Sequence, residues 1–262
     1  MATKKTTTKK SATAKASKPA AKKAAAPKKA TAKKPAAKAV KKPAADGTTG
    51  DVHEKVQLWK DGPYWATTNI GAEKTEDFGY YFWWGDTVGY KRVKDKWVAT
   101  DGSSTDFSFE ADNTPTWPDD DDYDDEDFLK DGGWIEDDGV LVPEHDAAHI
   151  HWGGDWRMPT LEELENLVEK CVWTWKEVNG VGGYVVRGKG AYASAGIFIP
   201  CAGFGTATSF YLGSSGNYWS SVPYSDTYNG AWYLYFDSSD HSTYNDSRSY
   251  GRSVRPVQGF TK

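Results

Sequence analysis

Ala231-Trp232-Tyr233-Leu234-Tyr235-Phe236 alternates with the period of a β-strand. The repeat predicts Trp232, Leu234 and Phe236 on one face and Tyr233 and Tyr235 on the other, outward one. Around it, 28 of the 40 residues from 211 to 250 are Tyr, Ser, Gly, Asn or Asp. This is the alphabet of binding loops, in which Tyr gives large contact area at low entropic cost and the small polar residues give adaptable hydrogen bonds. Asn217-Tyr218-Trp219-Ser220-Ser221 reads as a preceding strand, and Val254 and Val257 anchor a last one. Residues 222–230 and 237–249 are polar, turn-rich and aperiodic, and are expected to be surface loops. The plainer alternative is a β-rich domain with tyrosine-rich turns.

Outward from this stretch the chain divides by charge. Residues 1–45 hold 15 Lys and no acid, whereas the rest holds 17 basic against 37 acidic residues, about −20. The first 50 residues, built on Lys, Ala, Pro, Thr and Ser, have little to bury and are expected to form a disordered basic tail and hinge. That tail has two readings: a nucleic-acid or polyanion contact, or a tether that touches the acidic body. All 13 Trp fall after position 58, so residues 51–262 can form one aromatic-cored domain.

Within that domain, Val56-Gln57-Leu58-Trp59 and Tyr64-Trp65-Ala66 flank a turn at Lys60-Asp61-Gly62-Pro63 and read as a hairpin. A strand this early could pair with one at 252–257 and join the two ends of the domain. The run from Phe78 to Asp86 reads as aromatic core. Residues at about 94–146 form an acidic insertion without periodicity. Its segment 119–127 has eight acids in nine positions but lacks the spacing of an EF-hand. A solvated loop is expected there, with a weak divalent site or a contact with the Lys tail as alternatives. Thr160 followed by Glu163, with Leu161, Leu164, Leu167 and Val168 at helical spacing, predicts a capped amphipathic helix. Residues 183–187 and 197–203 are strand candidates. The fold class is α+β, with few short strands, one or two helices and long loops.

Several of these segments together resemble the Fibrobacter succinogenes major paralogous domain. They are Trp65-Ala66-Thr67-Thr68-Asn69-Ile70-Gly71-Ala72, Phe78-Gly79-Tyr80-Tyr81-Phe82-Trp83-Trp84-Gly85, Trp152-Gly153-Gly154-Asp155-Trp156-Arg157-Met158-Pro159-Thr160, Tyr218-Trp219-Ser220-Ser221 and Ser253-Val254-Arg255-Pro256-Val257. The likeness spans about 52–258. It implies a C-type lectin-like fold, shared with formylglycine-generating enzymes and with variable proteins diversified by retroelements, in a family abundant in gut Bacteroidetes and related phages. In such variable proteins a rigid scaffold displays hypervariable C-terminal side chains, and adenine-directed diversification does not yield Lys, Glu, Gln, Met or Trp. Residues 190–257 contain no Lys, Glu, Gln or Met, and Trp219 and Trp232 would then be scaffold.

The candidate ligand contacts are Tyr224, Ser225, Asp226, Tyr228 and Asn229 in the first loop, and Tyr233 and Tyr235 on the strand. Asp237, Ser239, Asp240, His241, Tyr244, Asn245, Ser247 and Tyr250 complete them in the second loop. Each has a structural alternative: a Tyr can cover a sheet edge, an Asp can cap a turn, and His241 can be a bystander. The expected function is binding of a protein or glycan ligand, without catalysis, cofactor or resident metal. The alternatives are a nucleic-acid-associated protein acting through its tail and an oxidase of the formylglycine type. Against the oxidase, Cys171 and Cys201 do not fall where a catalytic cysteine pair would, and they read as two buried thiols rather than one bridge. His145, His149 and His151 cluster in sequence beside the insertion and read as a surface loop rather than a metal site. No apolar run approaches a membrane span, and no secretory h-region develops, which points to a cytoplasmic or virion-associated protein.

Overall fold

The computed structural model describes residues 53–115, 125–207, 209–225 and 229–259. The basic tail, most of the acidic run, Asp226 and Tyr228 lie outside the described residues. Among them are fifteen strands: β1 (Lys55–Gln57), β2 (Tyr64–Ala66), β3 (Tyr90–Val93), β4 (Lys96–Ala99), β5 (Trp156–Arg157), β6 (Val172–Val178), β7 (Val181–Arg187) and β8 (Gly196–Pro200), then β9 (Phe204–Gly205), β10 (Phe210–Tyr211), β11 (Gly216–Tyr224), β12 (Gly230–Phe236), β13 (His241–Ser247), β14 (Gly251–Arg252) and β15 (Val257–Gln258). The α-helices are α1 (Asp125–Asp131), α2 (Ala147–Trp152) and α3 (Leu161–Lys170). The class is α+β as expected, but the strands are many rather than few, and two short helices accompany the long one. No helix among the described residues is long and apolar enough to cross a membrane.

α3 starts where the sequence says it should. Thr160 Oγ1 accepts from Glu163 N at 3.2 Å while the Glu163 carboxylate accepts from Thr160 N at 2.9 Å, a reciprocal capping box. The same carboxylate is gripped by both terminal nitrogens of Arg157, at 2.7 and 2.6 Å. The helix start is thereby fixed to β5, and Leu164 and Leu167 are turned into the core. The two ends of the domain meet as anticipated. β15 lies between β2 and β5, with Val257 opposite both Trp65 and Arg157.

Three apolar clusters fill the interior of the described residues. One lies among β7, β8, α3 and the inner face of β12, through Leu234 and Phe236. A second takes Trp84, Trp219, Ala231 and Tyr233, together with Leu129, Ile135 and Leu141 from the acidic insertion. A third packs Tyr81, Tyr90, Trp97 and Phe109. The insertion is therefore not a solvated loop throughout. Its first strand, β4, pairs with β3 just before it, and α1 buries Leu129. Asp125, from the run of acids, is buried and takes both terminal nitrogens of the buried Arg248, at 3.1 and 2.5 Å. A charge pair this enclosed holds two distant segments in register, because either partner left alone would be a buried charge.

The β6–β7 hairpin rests on Asn179-Gly180, both at positive φ (50° and 83°), as a two-residue turn between twisted strands requires. The C-terminal sheet has the order β11-β12-β13. β13, within the segment expected to be an aperiodic loop, pairs with β12 over seven residues from Gly230↔Ser247 to Phe236↔His241. Ladder hydrogen bonds come from the backbone, so a polar segment laid on an established strand needs no apolar alternation of its own.

Candidate functional site

In an antiparallel pair, residues directly opposite share a face. Tyr233 lies opposite Trp219 and Tyr244, and Tyr235 opposite Asn217 and Ser242. These side chains therefore occupy one face of the sheet, while Leu234 and Phe236 occupy the other. The alternation holds, with Tyr235 half-buried, but Tyr233 does not face outward. Tyr233 is only 9% exposed and packs in the second core. Period two separates two faces without saying that one of them meets water, and here helix α1 and the 135–141 segment contribute to the core that covers part of the second face.

What Tyr233 packs against organises the site. The guanidinium of Arg252, itself buried, sits 3.8 Å from the Tyr233 ring centroid and 4.3 Å from that of Trp219. Tyr250 and Phe204 lie on its remaining sides at 5.4 and 5.6 Å. A cation taken out of water among π-faces recovers part of its hydration in the ring quadrupoles. Asp246 accepts from Arg252 Nη2 at 2.8 Å and supplies the counter-charge. Burial still lowers the Arg252 pKa from its ordinary value and raises that of the Tyr233 hydroxyl.

From this cage aromatic rings run outward to the surface. Phe204 stacks on Tyr211 at 4.7 Å, and Tyr211 is 49% exposed. On the other side Tyr244, 45% exposed, meets Tyr235 edge-on at 5.7 Å and Tyr233 at 6.5 Å. The Arg252 guanidinium thus bridges two groups of rings, each of which ends at an exposed tyrosine. Tyr235 donates its hydroxyl to Asp237 Oδ2 at 3.1 Å and so limits its own rotation.

The remaining candidate positions do not converge on one place. Tyr224 ends β11 and Ser225 follows it, and Asn229 O accepts from Arg248 N at 2.7 Å, which brings this end of the hairpin beside Ser247. Tyr224 meets Trp232 edge-on at 5.1 Å. Asp237, Ser239, Asp240 and His241 gather at the far end of β12, roughly 20 Å away at about 3.3 Å per residue. There Asp237 builds the turn, with Oδ1 accepting from Ser239 N, Ser239 Oγ and Asp240 N at 2.8, 2.8 and 3.0 Å. The Ser239 N–H foremost among these donors holds its carboxyl below the usual range. His241 stacks on Trp173 at 4.6 Å, and burial lowers its pKa. Asn245 is exposed but lies opposite Trp232, on the other face from Tyr244. The two segments are therefore not a pair of neighbouring loops: one is a hairpin tip, and the other is an edge strand with a structural turn.

Phe204 and Tyr211, which complete the face, come from the β9–β10 pair. Phe204 between two glycines and the Phe210-Tyr211 dipeptide were the available signal. The other groups considered for chemistry are occupied structurally. Both cysteines are free and buried, their thiols pushed up to about 11 by burial. His145 stacks on Trp134 and has Nδ1 near Gly85 O, while His151 Nε2 lies 3.1 Å from Thr87 O. Among the described residues no three His, Cys, Asp or Glu side chains group as metal ligands would.

Comparison with known proteins gives one family. Residues 141–258 match the Lcl C-terminal domain. Neither the curated proteins nor the solved structures contain a significant match. The matched span includes the C-terminal sheet, the Arg252 cage and both exposed tyrosines of the face. Residues 141–258 are thus similar to the Lcl C-terminal domain, in agreement with the resemblance to the Fibrobacter major paralogous domain read from the sequence.

Proposed function

We propose that this domain is a non-enzymatic binding module that presents the tyrosine face around Arg252 to a glycan or protein ligand. The observation that carries this reading is the graded exposure of one contiguous set of rings, from Tyr233 at 9% to Tyr244 at 45% and Tyr211 at 49%. Exposed tyrosines standing on a rigid aromatic base lose little entropy on contact, which is the property that makes them effective paratope residues. Buried thiols pushed up to about 11 and histidines engaged by rings and carbonyls support the absence of catalysis.

In this reading the scaffold is C-type lectin-like, and the chain is a variable protein of a diversity-generating retroelement. Exposed positions such as Tyr244, Asn245 and Ser225 would vary, while Tyr233, Asp237 and Arg252 are kept by packing. The test is binding of the full chain to immobilised glycan and peptide panels, repeated with Tyr211→Ala, Tyr244→Ala and the double variant. Loss of the bound set in the double variant, at unchanged melting temperature, supports the face; undiminished binding refutes it. For the retroelement, the neighbouring DNA should hold an imperfect repeat of the codons for 217–257 that differs at adenines.

A further inference from the structure

Away from the tyrosine face, a cleft of about 370 Å³ opens between the 136–143 segment, β5 and the start of α3. This lies within the size range of small-molecule sites. Its inner wall is apolar and fixed: Leu141, Trp156 and Met158 are almost wholly buried. At the inner wall also lies Ser221, 3% exposed. Its backbone is fully spent, with N–H donated to Pro159 O at 2.8 Å and C=O accepting from Leu141 N at 3.0 Å. Its Oγ has no hydrogen-bond partner among the described residues. Buried hydroxyls are seldom left unpaired, because each one forfeits its hydration on folding.

The rim has the opposite character. Glu136, Asp138 and Asp155 line the cleft, all three are exposed, and among the described residues none is in an ion pair. The one guanidinium nearby belongs to Arg157 and is committed to Glu163 and to Gly259 O. Asp146, deeper in, is used up by the backbone N–H groups of Ala148, His149 and Met158. The cleft therefore offers uncompensated negative charge at the mouth, apolar walls, and one unsatisfied hydroxyl at the inner wall.

We propose that this cleft is a second ligand site, for a small aliphatic amine that carries another hydrogen-bonding group at its far end. The ammonium sits among the rim carboxylates, the methylene stem lies against Leu141, Trp156 and Met158, and the distal group bonds to Ser221 Oγ. Each end contributes modestly. The carboxylates are exposed and screened, while the buried hydroxyl gives discrimination because leaving it unpaired is costly.

The test is NMR titration of the full chain with a homologous series of α,ω-amino alcohols from propanolamine to aminohexanol. Two length-matched controls accompany each, the alkylamine without the hydroxyl and the diol without the amine. The expected result is saturable shifts at residues 138–158 and 221, with an optimum length, and about tenfold weaker binding for each control. Ser221→Ala should abolish the advantage of amino alcohol over alkylamine, and Asp138→Asn with Asp155→Asn the advantage over diol. Ser221→Ala should also leave the melting temperature unchanged or slightly raised, since it removes an unpartnered group. Absence of saturable shifts at millimolar ligand, equal binding of all three compounds, or a drop of several degrees on Ser221→Ala would each overturn the proposal.

Discussion

Tyr233 and Tyr244 are cross-strand partners on one face of one sheet, yet their replacement by Ala should have opposite consequences. Tyr233 is 9% exposed and lies 3.8 Å from the Arg252 guanidinium. Removing a buried aromatic ring costs about 3–5 kcal/mol in lost transfer and cavity terms. Here it also strips a desolvated cation of its closest π-face, a contribution of up to about 2 kcal/mol. A total near 5 kcal/mol, at about 2–4 °C per kcal/mol for a domain of this size, lowers Tm by roughly 10–20 °C. Tyr244 is 45% exposed and should cost no more than about 1 kcal/mol, the value of a good cross-strand pair, so its Tm should move by under about 4 °C. Calorimetry with near-UV circular dichroism reads both. Similar small shifts for the two variants would refute the division of this face into buried base and exposed contact surface. In a ligand assay the order reverses: Tyr244→Ala loses affinity while remaining folded.

Other consequences follow from buried groups. Replacing Arg248 by Met or Asp125 by Asn should each cost about 3–5 kcal/mol, whereas replacing both by apolar residues recovers most of it, as a chemical-denaturation double-mutant cycle would show. Burial raises the Asp86 carboxyl from 3.8 to about 7, against the N–H groups of Val88 and Gly89 that favour the anion. The folded chain then holds this proton where the unfolded chain has lost it. The Asp86 contribution is fully present below 3.8 and is lost as pH rises to about 7. Wild type should accordingly lose stability relative to Asp86→Asn across that interval, and a constant difference would contradict the assignment. Cys171 and Cys201, with thiols pushed up to about 11, should resist thiol reagents at pH 8 until the chain is unfolded.

The legible features were those whose signal is local. Thr160 and Glu163 specify a helix start within four residues, and the capping box formed as read. Trp232–Phe236 alternation identified β12, and Val257 marked the strand that joins β2 to β5. What escaped was set by partners distant in sequence. β13 takes its backbone bonds from β12 and therefore needed no pattern of its own. β6 carries Trp173 and Trp175 at strand spacing but is largely exposed, and together with the Asn179-Gly180 turn these were its readable trace. Asp125 looked like one more solvated acid, and only its pairing with Arg248, 123 residues away, distinguishes it. For the candidate site, sequence gave the chemistry of the tyrosine face but not its depth. Exposure of Tyr233 depends on α1 and the insertion packing into the same core, which no residue near Tyr233 encodes.

The three arginines near the C-terminus explain how a domain with so many short strands can keep a face rigid. Short strands leave many carbonyls without ladder partners, and each buried one needs a donor. Arg255 is buried with no carboxylate partner among the described residues, and it donates to Asn69 Oδ1, Ala66 O and Phe198 O at 2.8, 3.0 and 3.1 Å. One side chain thus ties three separate segments, a role that needs the fixed fork of donors found only in guanidinium. Burial pulls its pKa down to about 10, still far enough above neutrality to keep it charged. Arg248 fixes α1 to the strand ends, Arg252 fixes the rings, and Arg255 fixes the sheet of the two termini. With rigidity supplied from beneath by these donors, substitution at the exposed β13 positions Tyr244 and Asn245 should cost the fold little. Side chains there can differ in chemistry while the backbone that presents them stays in place.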